Sequence, residues 1–370
     1  PETGSHEPLA KGGFFQKMAQ GKRVVRKKRH RRHRGRVLFC WLLIFLGLGG
    51  VGFYFWRMMN SYDYNPLDDS DLGIVQTQQP VSDKITNIAL FGVDSRAGEN
   101  SRSDAMIILS VDPKRGKVKM SSLMRDAYVE IEDHGMTKLC HAYAYGGPEL
   151  AIKTINQNFQ MDISEYATVN FNQMADIIDA IGGVDLEVTE AEMDEANDAL
   201  WEYCVFNDLI WDDYKFTEPG LQTLNGPQAV AYGRIRKGAT GGDAARTSRQ
   251  QEILEKMMEK VMDMSIVKYP SLAAKLLPMV ETSLSSKEIL SLATQVLSGG
   301  KPDIERATFP CEGEWSEKRT SSGLSVVAYE DALAVKRLHA FIYDDLSIEE
   351  QKAQEQSSGG TDTDVDTDTP

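Results

Sequence analysis

One segment constrains this chain more than any other: Val37–Trp56, VLFCWLLIFLGLGGVGFYFW, is 20 residues long and carries no charge. At about 1.5 Å per residue such a run crosses a hydrocarbon core of about 30 Å, so residues 37–57, closed by Arg57, read as one transmembrane helix. A secretory signal peptide also follows a basic stretch. The length of the run, the Arg57 flank behind its aromatic end and the lack of a small-x-small cleavage site favour an anchor. The preceding segment, residues 1–36, ends in Lys22–Arg36, with ten Lys or Arg in fifteen residues. The positive-inside rule then puts the N-terminal side in the cytoplasm and the rest outside the cell membrane, in single-pass topology. A basic run attracts any polyanion. Beside a membrane span it is more simply a topology determinant that touches anionic lipid, and no nucleic-acid partner is expected.

The net charge is −14 although the first segment is basic, so the exported part is more acidic than the average suggests. Residues 58–84 are rich in Asp, Ser, Gln and Pro, lack periodicity and read as an extracytoplasmic stalk. Residues 346–370 end in a Thr-Asp repeat with almost nothing apolar to bury and read as a disordered acidic tail. Between them, residues 85–345 read as one elaborated domain. Cys140, Cys204 and Cys311 are the exported cysteines, an odd number that argues against a disulfide-built fold. A Cys204–Cys311 pair and three free thiols both stay open. No CxxC, HExxH or histidine cluster points to zinc.

Within the domain, short apolar runs at Ile85–Phe91, Ala105–Val111 and Lys117–Ser122 predict strands, the last two joined by a turn at Asp112–Gly116. Gly146-Gly-Pro-Glu149 predicts a helix start. Tyr166–Asn170, Phe171–Ile181 and Val184–Val188 predict strand, helix and strand. Glu190–Asp213 reads as a helix plus an irregular insert, Gln250–Met264 as a helix, Glu305–Phe309 and Leu324–Tyr329 as late strands, and Glu330–Tyr343 as a closing helix. The alternation predicts an α/β fold, an α-β-α sandwich around a central mixed sheet. The stripe Ile253, Leu254, Met257, Met258, Val261 and Met262 suits core packing, and equally a wall that accepts a lipid chain.

Between Phe91 and Gln251 several short motifs gather charged clusters: Asp94-Ser-Arg96, Arg102-Ser-Asp104, Arg125-Asp126, Lys138, Arg234-Ile-Arg236 and Asp243-Ala-Ala-Arg246-Thr-Ser-Arg249-Gln250. A few carboxylates among many guanidinium groups suit a divalent cation together with a diphosphate. Carboxylate oxygens bind hard cations such as Mg²⁺, and arginine forks match phosphate oxygens two at a time. Asp94 and Asp104, at the ends of two predicted strands, are either a metal pair or turn and capping residues. Arg234 and Arg236 have strand-like spacing that would turn both to one face. Arg246, Arg249 and Gln250 have i, i+3, i+4 spacing, which would present them together near a helix N-terminus.

These blocks, with Gly92-Val-Asp-Ser-Arg96, His141-Ala-Tyr-Ala-Tyr-Gly-Gly147, Val169-Asn-Phe171, Ile181-Gly-Gly-Val-Asp185, Leu224–Ala229 and Tyr232–Arg236, resemble in order the signature blocks of the LytR-CpsA-Psr family over about Ile88–Gln251. The resemblance implies a membrane-anchored transferase of the Gram-positive-type envelope. It would move a glycopolymer, such as teichoic acid or capsular polysaccharide, from undecaprenyl diphosphate to peptidoglycan through a phosphodiester. It also implies an α/β sandwich with a long apolar pocket for the prenyl chain, and Mg²⁺ or Mn²⁺ as cofactor. By this resemblance Asp94 and Asp104 hold the metal. Arg102, Arg125, Lys138, Arg234 and Arg236 contact the diphosphate, joined by Arg246, Arg249 and Gln250. Arg125, Arg234, Arg236 and Asp243 are its catalytic residues, Asp243 either taking the acceptor proton or pairing with an arginine. Met124, Cys140 and Ala244-Ala245 depart from the common pattern and remove no charged group. Two other readings stay open: a non-catalytic lipid-glycan-binding regulator or scaffold, which has no need of a metal pair, and a lipid-diphosphate phosphatase, which uses the same charges with water as acceptor.

Overall fold

The structure, a computed structural model, describes residues 62–67, 71–75, 85–94, 101–236, 242–298 and 300–358, all within the compact unit Phe55–Pro370. The predicted membrane helix and basic segment lie outside the described residues. Among those described, no helix is long and apolar enough to cross a membrane. The strands are β1 (Asp63–Tyr64), β2 (Thr86–Val93), β3 (Ser103–Asp112), β4 (Lys117–Leu123), β5 (Tyr128–Ile131), β6 (Gly135–Lys138), β7 (Glu165–Asn170), β8 (Val184–Val188), β9 (Gly220–Leu224), β10 (Glu281–Thr282), β11 (Asp303–Phe309), β12 (Trp315–Arg319) and β13 (Ser325–Tyr329). The helices are α1 (Leu139–Phe159), α2 (Phe171–Ala180), α3 (Glu190–Phe206), α4 (Gly226–Tyr232), α5 (Gly242–Met262), α6 (Tyr269–Leu276), α7 (Ser286–Ser298), α8 (Asp331–Ile342) and α9 (Ile348–Ser358).

The central sheet has seven strands in the order β1-β10-β7-β2-β3-β4-β11, with both parallel and antiparallel neighbours, so the expected α/β fold with a mixed sheet is present. Strand side chains alternate between faces, and here the two faces have different sizes. Ala89, Phe91, Met106, Ile108 and Tyr166 pack with Ile152, Ile155 and Phe159 of α1 and with Leu338 and Phe341 of α8. Their neighbours in sequence form rows across three strands: Leu90 pairs with Ile107 and Ala167, and Gly92 with Ala105 and Val169. These residues face Ile253, Leu254 and Met257 of α5 across a gap. Gly92 matters for that gap, because a Cβ there would stand 3.0 Å from the Ala105 Cβ.

Local chemistry explains the boundaries. Asp112 Oδ1 accepts from the Lys114 and Arg115 amides at 3.0 and 3.1 Å, which closes the β3–β4 turn. Asn170, Thr189 and Asn225 each close a capping box, which starts α2, α3 and α4 directly after a strand. The predicted helix start at Gly146 is a kink inside α1: Gly147 has φ 64°, and the helix already begins at Leu139.

Two expectations are corrected, and the open cysteine question resolves. The segment read as a stalk is partly packed: β1 pairs with β10, Leu72 is 1 % exposed, and Asp71 meets Lys153 at 2.6 Å. The acidic tail does not begin at 346, because α9 covers 348–358. There Gln351 is buried and donates to the Arg337 carbonyl, and Glu355 pairs with Lys336 and Arg337, each at 2.6 Å; residues 359–370 lie outside the described residues. Cys140, Cys204 and Cys311 are buried free thiols, so Cys204 and Cys311 are not bridged.

The far edge of the sheet is held by a buried charge network. Lys119, whose side chain is 1 % exposed, reaches Asp345 at 2.6 Å, Glu305 at 3.5 Å and the Phe341 carbonyl at 2.5 Å, while Lys117 reaches Glu305 at 2.6 Å and Asp345 at 2.9 Å. Burial works to raise the Asp345 pKa, and hydrogen bonds from Lys119 and Lys117 outweigh it, so the carboxyl sits below its ordinary value. Its stabilisation is therefore full above the unfolded carboxyl pKa of about 3.9 and vanishes as pH falls through the lower folded value. Asp345→Asn, which tolerates the φ of 62° at this position, is expected to lower stability by about 2 kcal/mol at neutral pH, less than for a fully buried pair because Glu305 remains. The difference from wild type should close in acid, as read from urea unfolding at a series of pH values.

A candidate active site at the end of the central sheet

Strand pairing brings the two aspartates together. β2 and β3 are antiparallel, with Gly92 opposite Ala105 and a register shift just before Val93, so Asp94 follows the end of one strand as Asp104 enters the next. Both line one polar cavity of about 560 Å³, together with Phe171, Arg234, Ile235, Arg236, Arg246 and Gln250. Ser101 donates to the Asp94 carbonyl at 2.7 Å, which links the start of β3 to the end of β2.

A chain of alternating charge leads away from the cavity. Arg125 Nη1 donates to Asp104 Oδ1 in a short contact, Arg125 Nε lies 3.7 Å from Asp126 Oδ1, and Lys138 Nζ lies 3.1 Å from the same oxygen. The Cys140 amide donates to the Arg125 carbonyl at 2.9 Å, which docks the start of α1 on this loop. Asp126 thus orients two cations rather than one. Arg102 is exposed, and its charge acts on His141 and Cys140. Burial, then the charges of Arg102 and Lys138, lower the His141 pKa against the pull of Asp126, so the imidazole is neutral at physiological pH. Burial, with Asp126, pushes the Cys140 thiol up to about 12 against the nearby cations, and this thiol is unreactive.

Arg234 and Arg236 do not sit on a strand, contrary to their spacing. They follow α4 in a turn and an irregular link, yet both reach the cavity. The Arg234 guanidinium lies 5.2 Å from the Phe171 ring centroid and 3.6 Å from Glu202. α4 is fixed against α2 because a Cβ on Gly226 would overlap the Ala175 carbonyl.

The α5 face also divides. The helix begins at Gly242, eight residues before its predicted start, so Asp243 falls in the first turn; the side chain of Asp243 and all of Arg96 lie outside what the structure describes. Arg246 and Gln250 line the cavity, whereas Arg249 points elsewhere. It donates to Glu192 at 3.0 Å and to the Ile235 carbonyl at 3.4 Å, over the Tyr232 ring. Burial opposes ionisation of Glu192, but hydrogen bonds from Thr189 and the Arg249 pair hold its pKa below the ordinary value. The reading of Arg249 as a phosphate ligand is corrected to a brace between α5, α3 and the Arg234–Arg236 link.

A wall of the cavity was not foreseen: Glu195, Asp198, Ala199 and Glu202 of α3, with Trp201 beside them. Their i, i+3, i+4, i+7 spacing was visible in the sequence, but the fold alone turns that face to the site. Behind the polar cavity lies an apolar one of about 240 Å³, lined by Leu90, Ile107, Ala167, Met174, Ile253 and Met257 among others. The two cavities share Phe171, Arg234 and Gln250. The methionine-containing stripe of α5 therefore serves both core and cavity wall.

Asp94 and Asp104 fit a hard divalent ion of the type that takes one or two protein carboxylates and completes its shell with phosphate and water. Among the described residues no group of three or more His, Cys, Asp or Glu could hold a metal ion. The division of the α5 arginines is testable. Arg249→Ala leaves Glu192 partly buried and unpaired and should lower stability by about 2–3 kcal/mol, whereas Arg236→Ala, at an exposed position, should stay within about 0.5 kcal/mol of wild type in chemical unfolding.

Residues 59–336 match the LytR_cpsA_psr family model. The chain is 31 % identical over 269 residues to the polyisoprenyl-teichoic acid–peptidoglycan teichoic acid transferase TagV of Bacillus subtilis, covering 70 % of this chain and 65 % of that protein. It is 33 % identical over 235 residues to TagU of Oceanobacillus iheyensis, which has the same descriptive name, covering 62 % and 68 %. In fold it is similar to Bacillus subtilis TagT solved with bound octaprenyl pyrophosphate lipid, with a TM-score of 0.55 and 21 % identity over 76 % of this chain and 100 % of that one. The order of its motifs, its mixed sheet and the match over most of its length together make this chain a member of the LytR-CpsA-Psr family.

Proposed function

We propose that this protein is a membrane-anchored phosphotransferase that moves a glycopolymer, teichoic acid or a capsular or secondary wall polysaccharide, from a polyprenyl-diphosphate carrier to peptidoglycan. The observation that carries the reading is the junction of the two cavities at Phe171, Arg234 and Gln250. An amphiphile with a long apolar tail and a diphosphate head fits such a junction, tail against Leu90, Ile107 and Met257, head among the guanidinium groups. The uncharged run at 37–56 supports anchoring beside a membrane-borne substrate.

Charge supports a metal. Five carboxylates and three guanidinium groups line the polar cavity, so a diphosphate adds negative charge to a site already rich in it. Asp94 and Asp104 would hold Mg²⁺ or Mn²⁺, which would supply charge neutralisation and Lewis acidity. In the reaction an acceptor hydroxyl oxygen attacks the sugar-linked phosphorus. The bond from that phosphorus to the oxygen of polyprenyl phosphate breaks, and the hydroxyl proton leaves. Arg234, Arg236 and Arg246 stabilise the charge that builds on the phosphoryl oxygens, and Arg125 holds Asp104 in place. Asp243, one turn before Arg246, is assigned the proton of the acceptor hydroxyl.

The test incubates the full chain with polyprenyl-diphosphate oligosaccharide, peptidoglycan fragments and Mg²⁺, and reads products by mass spectrometry. A phosphodiester adduct that disappears with chelator is expected, and release of phosphorylated sugar without adduct would replace the ligase with a phosphatase. Asp94→Ala and Arg236→Ala are each expected to lower the transfer rate by about 10²–10³-fold with unchanged circular dichroism.

A further inference from the structure

Trp201, Val205, Phe206 and Ile210 are each more than half exposed, and they fall within one stretch from the second half of α3 to the link behind it. The Leu209 amide donates to the Cys204 carbonyl at 2.9 Å, which keeps that link against the helix end. Single exposed apolar residues are ordinary, whereas four large ones together mark a contact surface. The surface continues into the site: Phe206 lines a small cleft with Phe171, and Phe171 also lines the apolar cavity under α5.

The strand pairings put the entry to the domain at the same end of the sheet. Asp63 stands opposite Glu281, Glu281 opposite Thr168 and Thr168 opposite Phe91, and these pairings make β1 antiparallel to β2 and β7. The chain that arrives at Tyr62 therefore comes in from the end where Asp94 follows β2 and Phe171 follows β7. The uncharged run stops at Trp56, six peptide steps earlier, a reach of about 20 Å when fully extended. Tyr62 and Tyr64 meet edge-on at this entry with ring centroids 6.0 Å apart, and Tyr64 is exposed, as suits aromatic residues at a membrane–water boundary.

We propose that the apolar surface at 201–210 rests in the lipid interface of the bilayer and passes the tail of a membrane-borne lipid past Phe206 and Phe171 into the apolar cavity. This deepens the carrier-lipid reading and rests on it. Indole and phenyl rings with aliphatic neighbours suit the headgroup boundary, where they leave water without entering the hydrocarbon core. Glu202, within the surface, lies 3.6 Å from Arg234. Asp208, Asp212 and Asp213 beside it are exposed, and the cost of taking carboxylates into lipid limits the contact to headgroup depth. A second copy of the chain fits the surface less well, because a two-fold contact would bring these carboxylates face to face.

The test reconstitutes the full chain in phosphatidylcholine vesicles and reads quenching by phosphatidylcholine brominated near the glycerol end of its acyl chains. Trp41 and Trp56 belong to the uncharged run, so the Trp201 signal is taken as the difference between wild type and Trp201→Phe. That signal should fall about 2-fold with the brominated lipid. The tryptophan introduced by Val267→Trp, an exposed position past the opposite end of α5 from Arg246, should keep its emission. Val205→Asp combined with Ile210→Asp should abolish the Trp201 quenching and slow transfer from vesicle-borne polyprenyl-diphosphate oligosaccharide about 5-fold. Transfer from a water-soluble analogue with a short prenyl chain should be unchanged, leucine at both positions should behave as wild type, and thermal unfolding of these exposed-site variants should match wild type. Absent quenching, equal quenching in Val267→Trp, no effect of the aspartate pair, or an equal loss with both carriers overturns the proposal. A dimer that the aspartate pair dissociates, with Trp201 shielded from bromine, would assign the surface to a second copy and overturn it as well. Octaprenyl diphosphate titrated into wild type in detergent micelles separates the two levels. Its binding without Trp201 quenching in vesicles removes only the membrane contact, and its failure to bind removes the carrier-lipid reading underneath.

Discussion

The register of β2 against β3 determines the rest of the site. With Gly92 opposite Ala105, next to the Leu90–Ile107 pair, small residues on one face of the sheet leave space under α5, while the ends of the same two strands carry Asp94 and Asp104. A slip of one residue would turn Phe91 and Met106 into that space and Leu90 into the α1 core, because side chains alternate with period two. The apolar cavity and the carboxylate pair are therefore two consequences of a single pairing. This coupling explains how a site that needs both an oily slot and a charged head can be built on one rigid element.

Around that pairing the charged residues have distinct duties that composition cannot separate. Arg234, Arg236 and Arg246 border the cavity, Arg125 and Lys138 are tied through Asp104 and Asp126, and Arg249 braces three elements through Glu192. A bidentate donor is useful in each setting, so guanidinium groups recur while their roles diverge. The Lys119–Asp345–Glu305 network at the opposite edge shows the same economy in a purely structural setting: a buried ammonium is tolerated because two carboxylates and a carbonyl surround it.

The segments that were misread in sequence share a cause. β1 and β10 are two residues long, too short for periodicity to register, and they exist because neighbouring strands offer free hydrogen-bonding edges. α9 carries almost no apolar stripe, and it is held by Gln351 and Glu355 on α8, contacts that no local pattern reveals. The α1 start was missed because the Gly-Gly-Pro punctuation, normally a helix boundary, is here a kink between two helical stretches.

The sequence by itself determined the uncharged run at 37–56, the strand-helix alternation and the ordered charged motifs that mark the family, since each of these is a local pattern of residue types and spacings. Only the tertiary structure decided that Arg249 turns to Glu192, that Arg234 and Arg236 reach the cavity from a turn, that the cysteines stay apart, and that α3 brings Trp201 and its carboxylates to the site. Spacing specifies which residues share a face of one element. Which neighbour that face meets depends on how elements distant in sequence pack, and that is settled by burial summed over the whole domain rather than by any local signal.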